Sequence, residues 1–169
     1  MLHDQSLEEL DDENGEGQLL IVDEQIFNVL AIRSQLTVMG VQCVSANSGE
    51  RAIELFNQRL SEVANGTQSM FKLILLTKSM DGEMQGSDIA KSIRNNFATF
   101  QIGNPTVSIR EPYLVCLTGL TRSREKQDRA ETKAYQVDCF LHKPISFDDL
   151  KSLMLKTKVL GAPTTAAAE

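Results

Sequence analysis

The chain of 169 residues has no tryptophan, only two histidines and three cysteines, and few aromatics of any kind. Each scarcity closes a class of function. His3 and His142 lie far apart in sequence, which argues against a histidine-built metal centre. Cys43, Cys116 and Cys139 are odd in number, form no Cys-x-x-Cys pair and sit in apolar runs. They read as buried free thiols of a reducing, cytoplasmic compartment rather than as a disulfide frame. Long apolar runs are missing as well. The longest are of the kind Leu73-Ile74-Leu75-Leu76, against the roughly 20 residues a membrane span requires. The N-terminus lacks the basic-then-apolar order of a secretory signal. No Gly-rich phosphate loop follows the first apolar run, where the sequence is Val22-Asp23-Glu24-Gln25. A Gly-x-Ser-x-Gly elbow is absent, so an enzyme of those kinds is disfavoured.

Positive charge is missing from one region only. Residues 1–17 hold Asp4, Glu8, Glu9, Asp11, Asp12, Glu13 and Glu16 and no Lys or Arg. The net charge of −6 therefore divides into −7 for this leader and +1 for the rest, where 17 basic residues meet 16 acidic ones. A near-neutral body has no basic face of the kind nucleic-acid binding needs. The acidic leader (1–17) is expected to be disordered, and residues 158–169 to be a flexible tail or linker. The body, 18–157, is of ordinary size for one domain.

Within the body, short apolar runs alternate with helical patterns. Strands are expected at Leu19–Val22, Val41–Val44, Leu73–Leu76, Tyr113–Leu117 and Cys139–Leu141. Helices are expected over 25–39, 48–60, 85–97, 122–135 and 146–157. In the first helix Phe27, Leu30, Ala31 and Val38 supply the apolar spacing. Five alternating strands and helices imply parallel pairing through right-handed crossovers, an open doubly wound α/β fold. The unbroken apolar strands fit burial on both faces. In such folds the functional crevice lies beyond the carboxyl ends of the strands.

Those ends carry Asp23-Glu24, Thr77-Lys78, Thr118-Gly119 and His142-Lys143-Pro144. Carboxylates there suit Mg²⁺, and a hydroxyl with an ammonium suits phosphoryl oxygens. Singly each has a plainer reading: Asp23 as a helix cap, Glu24 as a first-turn acid, Thr118 as a cap near residue 121, Lys143-Pro144 as a turn. Together they are far more specific.

Over residues 18–157 the sequence resembles the receiver domain of two-component response regulators and hybrid histidine kinases. The resemblance rests on LLIVDE (19–24), Asn28, SGERAIELF (48–56), LILL (73–76), CLTG (116–119) and CFLHKPIS (139–146). It implies a three-layer, flavodoxin-like five-stranded parallel sheet of order 2-1-3-4-5. It also implies that Asp23 and Glu24 bind Mg²⁺, that Thr118 and Lys143 contact a phosphoryl group, that Phe140 is the switch aromatic, and that Lys143-Pro144 is cis.

Two departures matter. The phosphoacceptor Asp of the family falls on Thr77, whose hydroxyl is not an ionised nucleophile at neutral pH. Two carboxylates with Lys78 beside them should hold Mg²⁺ weakly. Asp81, four residues on, cannot reach the same point without rearrangement. Gln136 stands where the family places a glycine with positive φ. The segments 60–70 and 98–112 are longer than typical and read as surface insertions or partner-binding loops.

The expectation is a non-enzymatic pseudo-receiver that needs no cofactor, with Mg²⁺ weak or vestigial. It would act through a protein partner on the surface of the fourth helix, fifth strand and fifth helix. A histidine kinase or another relay component is the partner the resemblance implies, with neither nucleic acid nor membrane insertion. The alternatives are a working relay receiver with another acceptor and a structural subunit of a larger assembly. The fourth helix carries a net +2, from Arg122, Arg124, Lys126, Arg129 and Lys133 against Glu125, Asp128 and Glu131.

Overall fold

A computed structural model describes residues 17–119 and 125–161, without the side chains of 125–129. The five strands are β1 (Leu19–Val22), β2 (Val44–Ala46), β3 (Leu73–Thr77), β4 (Tyr113–Thr118) and β5 (Cys139–His142). The helices are α1 (Ile26–Val38), α2 (Gly49–Ala64), α3 (Gly86–Gly103), α4 (Glu125–Tyr135) and α5 (Phe147–Lys156). All strand pairs are parallel and the sheet order is β2-β1-β3-β4-β5. This is the expected doubly wound architecture.

The unbroken apolar runs have the expected cause. Leu20, Val22, Ile74 and Leu76 join a core with α2 and α3, while Leu19, Ile21, Leu73 and Leu75 join a second core with α1 and α5. Alternate side chains of one strand thus serve opposite layers. Capping fixes where the helices begin. The Ser48 hydroxyl accepts from the Arg51 amide at 3.1 Å and Ser146 does the same for Asp149. Gln85 and Asp88 form a reciprocal capping box on α3.

Four expectations are corrected. The second strand is Val44–Ala46, displaced from 41–44, because its pairing with Leu20–Val22 sets the register. α2 and α3 run on to Ala64 and Gly103, so the two long segments begin as added helical turns. Nothing in either sequence stops a helix before Asn65 or Asn104. The inward stripe of α1 is Val29, Ile32 and Leu36, whereas Phe27 and Val38 are 81% and 78% exposed and Leu30 and Ala31 also face outward. α1 is apolar around much of its circumference, so spacing alone selects no single face. Finally, Val159 and Leu160, expected in a tail, pack against the second core.

None of the three cysteines is in a disulfide; Cys43 and Cys116 are buried, whereas Cys139, expected to be buried with them, is only partly so. The expectations for the leader 1–16, for Arg122 and Arg124, and for the tail beyond 161 lie outside the described residues, as do the side chains of Glu125, Lys126, Asp128 and Arg129.

Candidate functional site

Parallel strands bring Asp23, Thr77, Thr118 and His142-Lys143 to one rim. Thr77 pairs in register with Leu117 and Thr118 with His142. The Lys143 amide donates to the Thr118 carbonyl at 2.8 Å, and the Lys78 amide to Leu117 at 2.9 Å. Lys143-Pro144 is cis, as the resemblance implies.

Asp23 is buried at the centre of the rim. Its Oδ1 accepts from the Gln25 amide at 2.8 Å, a local turn bond rather than the helix cap considered from sequence. Its Oδ2 accepts from Asn28 Nδ2 at 3.1 Å and from Lys143 Nζ at 2.8 Å. The same ammonium donates to the Thr77 hydroxyl at 3.1 Å. Lys143 therefore spans the buried Asp23 carboxylate and the Thr77 hydroxyl.

Glu24 also departs from its plain reading as a first-turn acid, since α1 begins at Ile26. Both of its carboxylate oxygens accept from the Asp81 amide at 2.9 Å. That bond fastens the loop after β3 across the rim. Asp81 thus meets the rim through its backbone.

Gln85 braces the same loop: its side-chain oxygen accepts from the Met80 amide and its nitrogen donates to the Met80 carbonyl. Gly86 lets α3 start close beneath β3, because a Cβ there would lie 2.5 Å from the Thr77 carbonyl oxygen.

Lys78, expected only to weaken Mg²⁺ binding by its charge, also reaches α4. Its Nζ donates to Glu131 of α4 at 3.2 Å. It also lies 5.5 Å from the ring centroids of Tyr135 and Phe140, within cation–π range. Those rings meet edge to face at 5.4 Å. The expected switch aromatic is thus half-buried and clamped, with Lys78 linking the end of β3 to α4. Lys78 after Thr77, and Phe140 three residues before Lys143, are visible in the sequence; their convergence with Glu131 is not.

The donor set does not fit a divalent cation well. Mg²⁺ asks for oxygen ligands in near-ideal octahedral geometry. Here two carboxylates are each taken up by protein donors, Thr77 adds no charge, and the Lys143 ammonium occupies the Asp23 oxygen. Among the described residues no group of three His, Cys, Asp or Glu is placed to hold a metal.

No protein-family model matches the chain. It is 27% identical over 134 residues to the virulence sensor protein BvgS of Bordetella bronchiseptica, a match covering 79% of this chain and 9% of that protein. The chain thus spans about a tenth of the length of the curated relatives it matches. Among solved structures it resembles the receiver domain of the histidine kinase CKI1 from Arabidopsis thaliana, complexed with Mg²⁺. The TM-score is 0.65 and the identity 22%, over 83% of this chain and 90% of that one. A second likeness is to the Saccharomyces cerevisiae co-crystal of the phosphotransfer protein Ypd1 with the receiver domain of Ssk1, with a TM-score of 0.63 and 20% identity over 80% of this chain and 85% of that one. The fold of this chain is therefore the flavodoxin-like receiver fold.

Proposed function

We propose that this chain is a pseudo-receiver of phosphorelay signalling: it keeps the receiver fold, has lost phosphoryl transfer to an Asp, and acts by binding protein. The observation that carries this reading is Thr77 at the end of β3, hydrogen-bonded by the Lys143 ammonium that also pairs with Asp23. A carboxylate there would be an ionised nucleophile at neutral pH. A threonine hydroxyl facing an ammonium has lost that reactivity, and the ammonium has found a partner elsewhere. On this reading the protein is not an enzyme and needs no cofactor, and Asp23 and Glu24 serve structure rather than Mg²⁺. Three cysteines outside any disulfide support a reducing, cytoplasmic setting, and no helix among the described residues is long and apolar enough to cross a membrane.

The likeness to the Ssk1 receiver, whose co-crystal contains a phosphotransfer protein, supports a kinase or relay component as the partner. The surface of α4, β5 and α5 remains one docking face, with Phe147 partly exposed on it. Exposed Phe27, Leu30 and Val38 give α1 the stronger apolar claim. Loss of binding on Phe27→Glu but not on Phe147→Glu would assign the face to α1. The chemical test is incubation with acetyl phosphate and Mg²⁺ followed by intact-mass measurement. The mass is expected not to change. A gain of one phosphoryl group that hydroxylamine releases would overturn the proposal and favour a working receiver with another acceptor.

A further inference from the structure

The two long segments that the rim does not use meet at the other end of the sheet. Phe71 and Lys72 lead into β3 and Tyr113 opens β4, so this end lies about 16 Å from Thr77 at the rise of an extended strand. There the end of α2, the 65–72 and 104–112 connections and the end of α5 enclose a cleft of about 600 Å³. That volume falls within the range of small-molecule sites. Its floor is apolar, formed by Val63, Phe71 and Ile109.

Its margin is basic: Lys72, Arg110, Lys156 and Lys158. None of the four is paired with a carboxylate among the described residues. The one acid of the lining, Glu111, is held at 3.0 Å by Arg94. The body carries an excess of only one positive charge, so four cations around one cavity without a carboxylate partner among the described residues are a concentration rather than a sample of the surface.

The margin is also positioned. Lys156 donates to the Tyr113 hydroxyl at 3.0 Å and lies 4.7 Å from that ring centroid. Lys158 adopts φ +61, a left-handed conformation more usual for glycine or asparagine. This turns its carbonyl onto Lys72 Nζ at 3.1 Å. Beneath the cleft Arg59 ties the Ser69 carbonyl to the Gly17 carbonyl and stacks on Phe71 at 4.0 Å.

We propose that this cleft binds a small amphiphilic anion, with an apolar body against Val63, Phe71 and Ile109 and a single acidic head group among Lys72, Arg110, Lys156 and Lys158. The floor alone would accept any apolar molecule, and the cations alone any anion; their juxtaposition selects a ligand carrying both. This inference goes beyond the pseudo-receiver reading and does not depend on Thr77.

The probe is 8-anilinonaphthalene-1-sulfonate, titrated by fluorescence against the full chain at low ionic strength. The neutral N-phenyl-1-naphthylamine and inorganic phosphate serve as the apolar-only and anion-only arms. One-to-one binding of the sulfonate is expected, weakened about tenfold or more by Arg110→Glu with Lys156→Glu and abolished by Ile109→Asp. An unchanged thermal midpoint establishes that each variant is folded; should Ile109→Asp unfold, the charge-reversal pair alone decides. The proposal fails if the neutral probe binds as tightly, if charge reversal leaves the affinity unchanged, or if millimolar phosphate displaces the sulfonate. It fails equally if amidating the seven acids of residues 1–16 in the full chain raises the affinity tenfold, because the leader and not a small molecule would then be the natural occupant.

Discussion

Asp23→Asn separates a structural rim from a metal-binding one by the sign of its effect. Where carboxylates cluster to bind a cation, neutralising one relieves repulsion and stabilises the metal-free protein. Here Asp23 is a buried carboxylate with three donors, one of them an ammonium at 2.8 Å. Its side chain is 2% exposed and that of Lys143 is 23% exposed. Breaking a buried ion pair by removing one partner costs about 3–5 kcal/mol. Water reaches Lys143, and an asparagine can keep the bond from the Gln25 amide, so about 2–3 kcal/mol is expected. For a domain of this size that lowers the thermal midpoint by roughly 5–10 °C. Calorimetry or circular-dichroism melts in EDTA read it directly. Lys143→Met should cost a similar amount, and the double variant less than the sum of the singles, with a coupling of about 1–3 kcal/mol. An unchanged or raised midpoint for Asp23→Asn would refute the reasoning, because it would mean the ammonium does not rest on Asp23.

Thr77→Asp should raise Mg²⁺ affinity, read by isothermal titration, since a third carboxylate joins the rim and competes for Lys143; no change would mean that the Glu24–Asp81 bond holds the rim closed. Gln136 adopts φ +57 without being glycine, so Gln136→Gly should stabilise the fold by about 0.5–1 kcal/mol in urea titrations. Gly86→Ala should destabilise it in the same assay, because the new methyl would meet backbone at Thr77. Burial pushes the Cys116 thiol up to about 12 from an ordinary value near 9. The unfolded chain therefore releases this proton first, and stability falls by about 1.4 kcal/mol per pH unit between those two values. Cys116→Val should flatten that alkaline slope.

The sequence revealed the features whose cause is local. Apolar runs flanked by Ser48, Gly86 and Ser146 mark elements, because caps and tight turns act within a few residues. The strand-end residues are legible for a different reason: parallel topology delivers every carboxyl end to one rim. What could not be read was whatever depends on choosing among equivalent faces or on distant partners. α1 offers apolar residues on several sides, and only its packing against β1 and β3 decides that Val29, Ile32 and Leu36 go inward. Asn28 belongs to the receiver resemblance, but its bond to Asp23 needs the turn at Gln25 to exist first. The basic cleft draws on residues from 63 to 158, and no short window contains it.

The rim follows from the identity of one residue. With Thr at position 77, the charged groups at the strand ends are Asp23, Glu24, Lys78 and Lys143. Each has a protein partner: Asp23 with Lys143, Glu24 with the Asp81 amide, Lys78 with Glu131. On the pseudo-receiver reading proposed above, an ion or a phosphoryl group must first displace a bond already made at this rim. Lys78 carries the consequence outward. Its bond to Glu131 and its place over Phe140 and Tyr135 join the end of β3 to α4 without a phosphoryl group. Glu131→Gln should therefore loosen α4 more than it lowers global stability. Hydrogen exchange across Thr132–Tyr135 should accelerate while β1 and β3 stay protected, the expected pattern when one tether of a locally stable element is cut. Uniform acceleration across the sheet, or none in α4, would remove Lys78 from the role of latch.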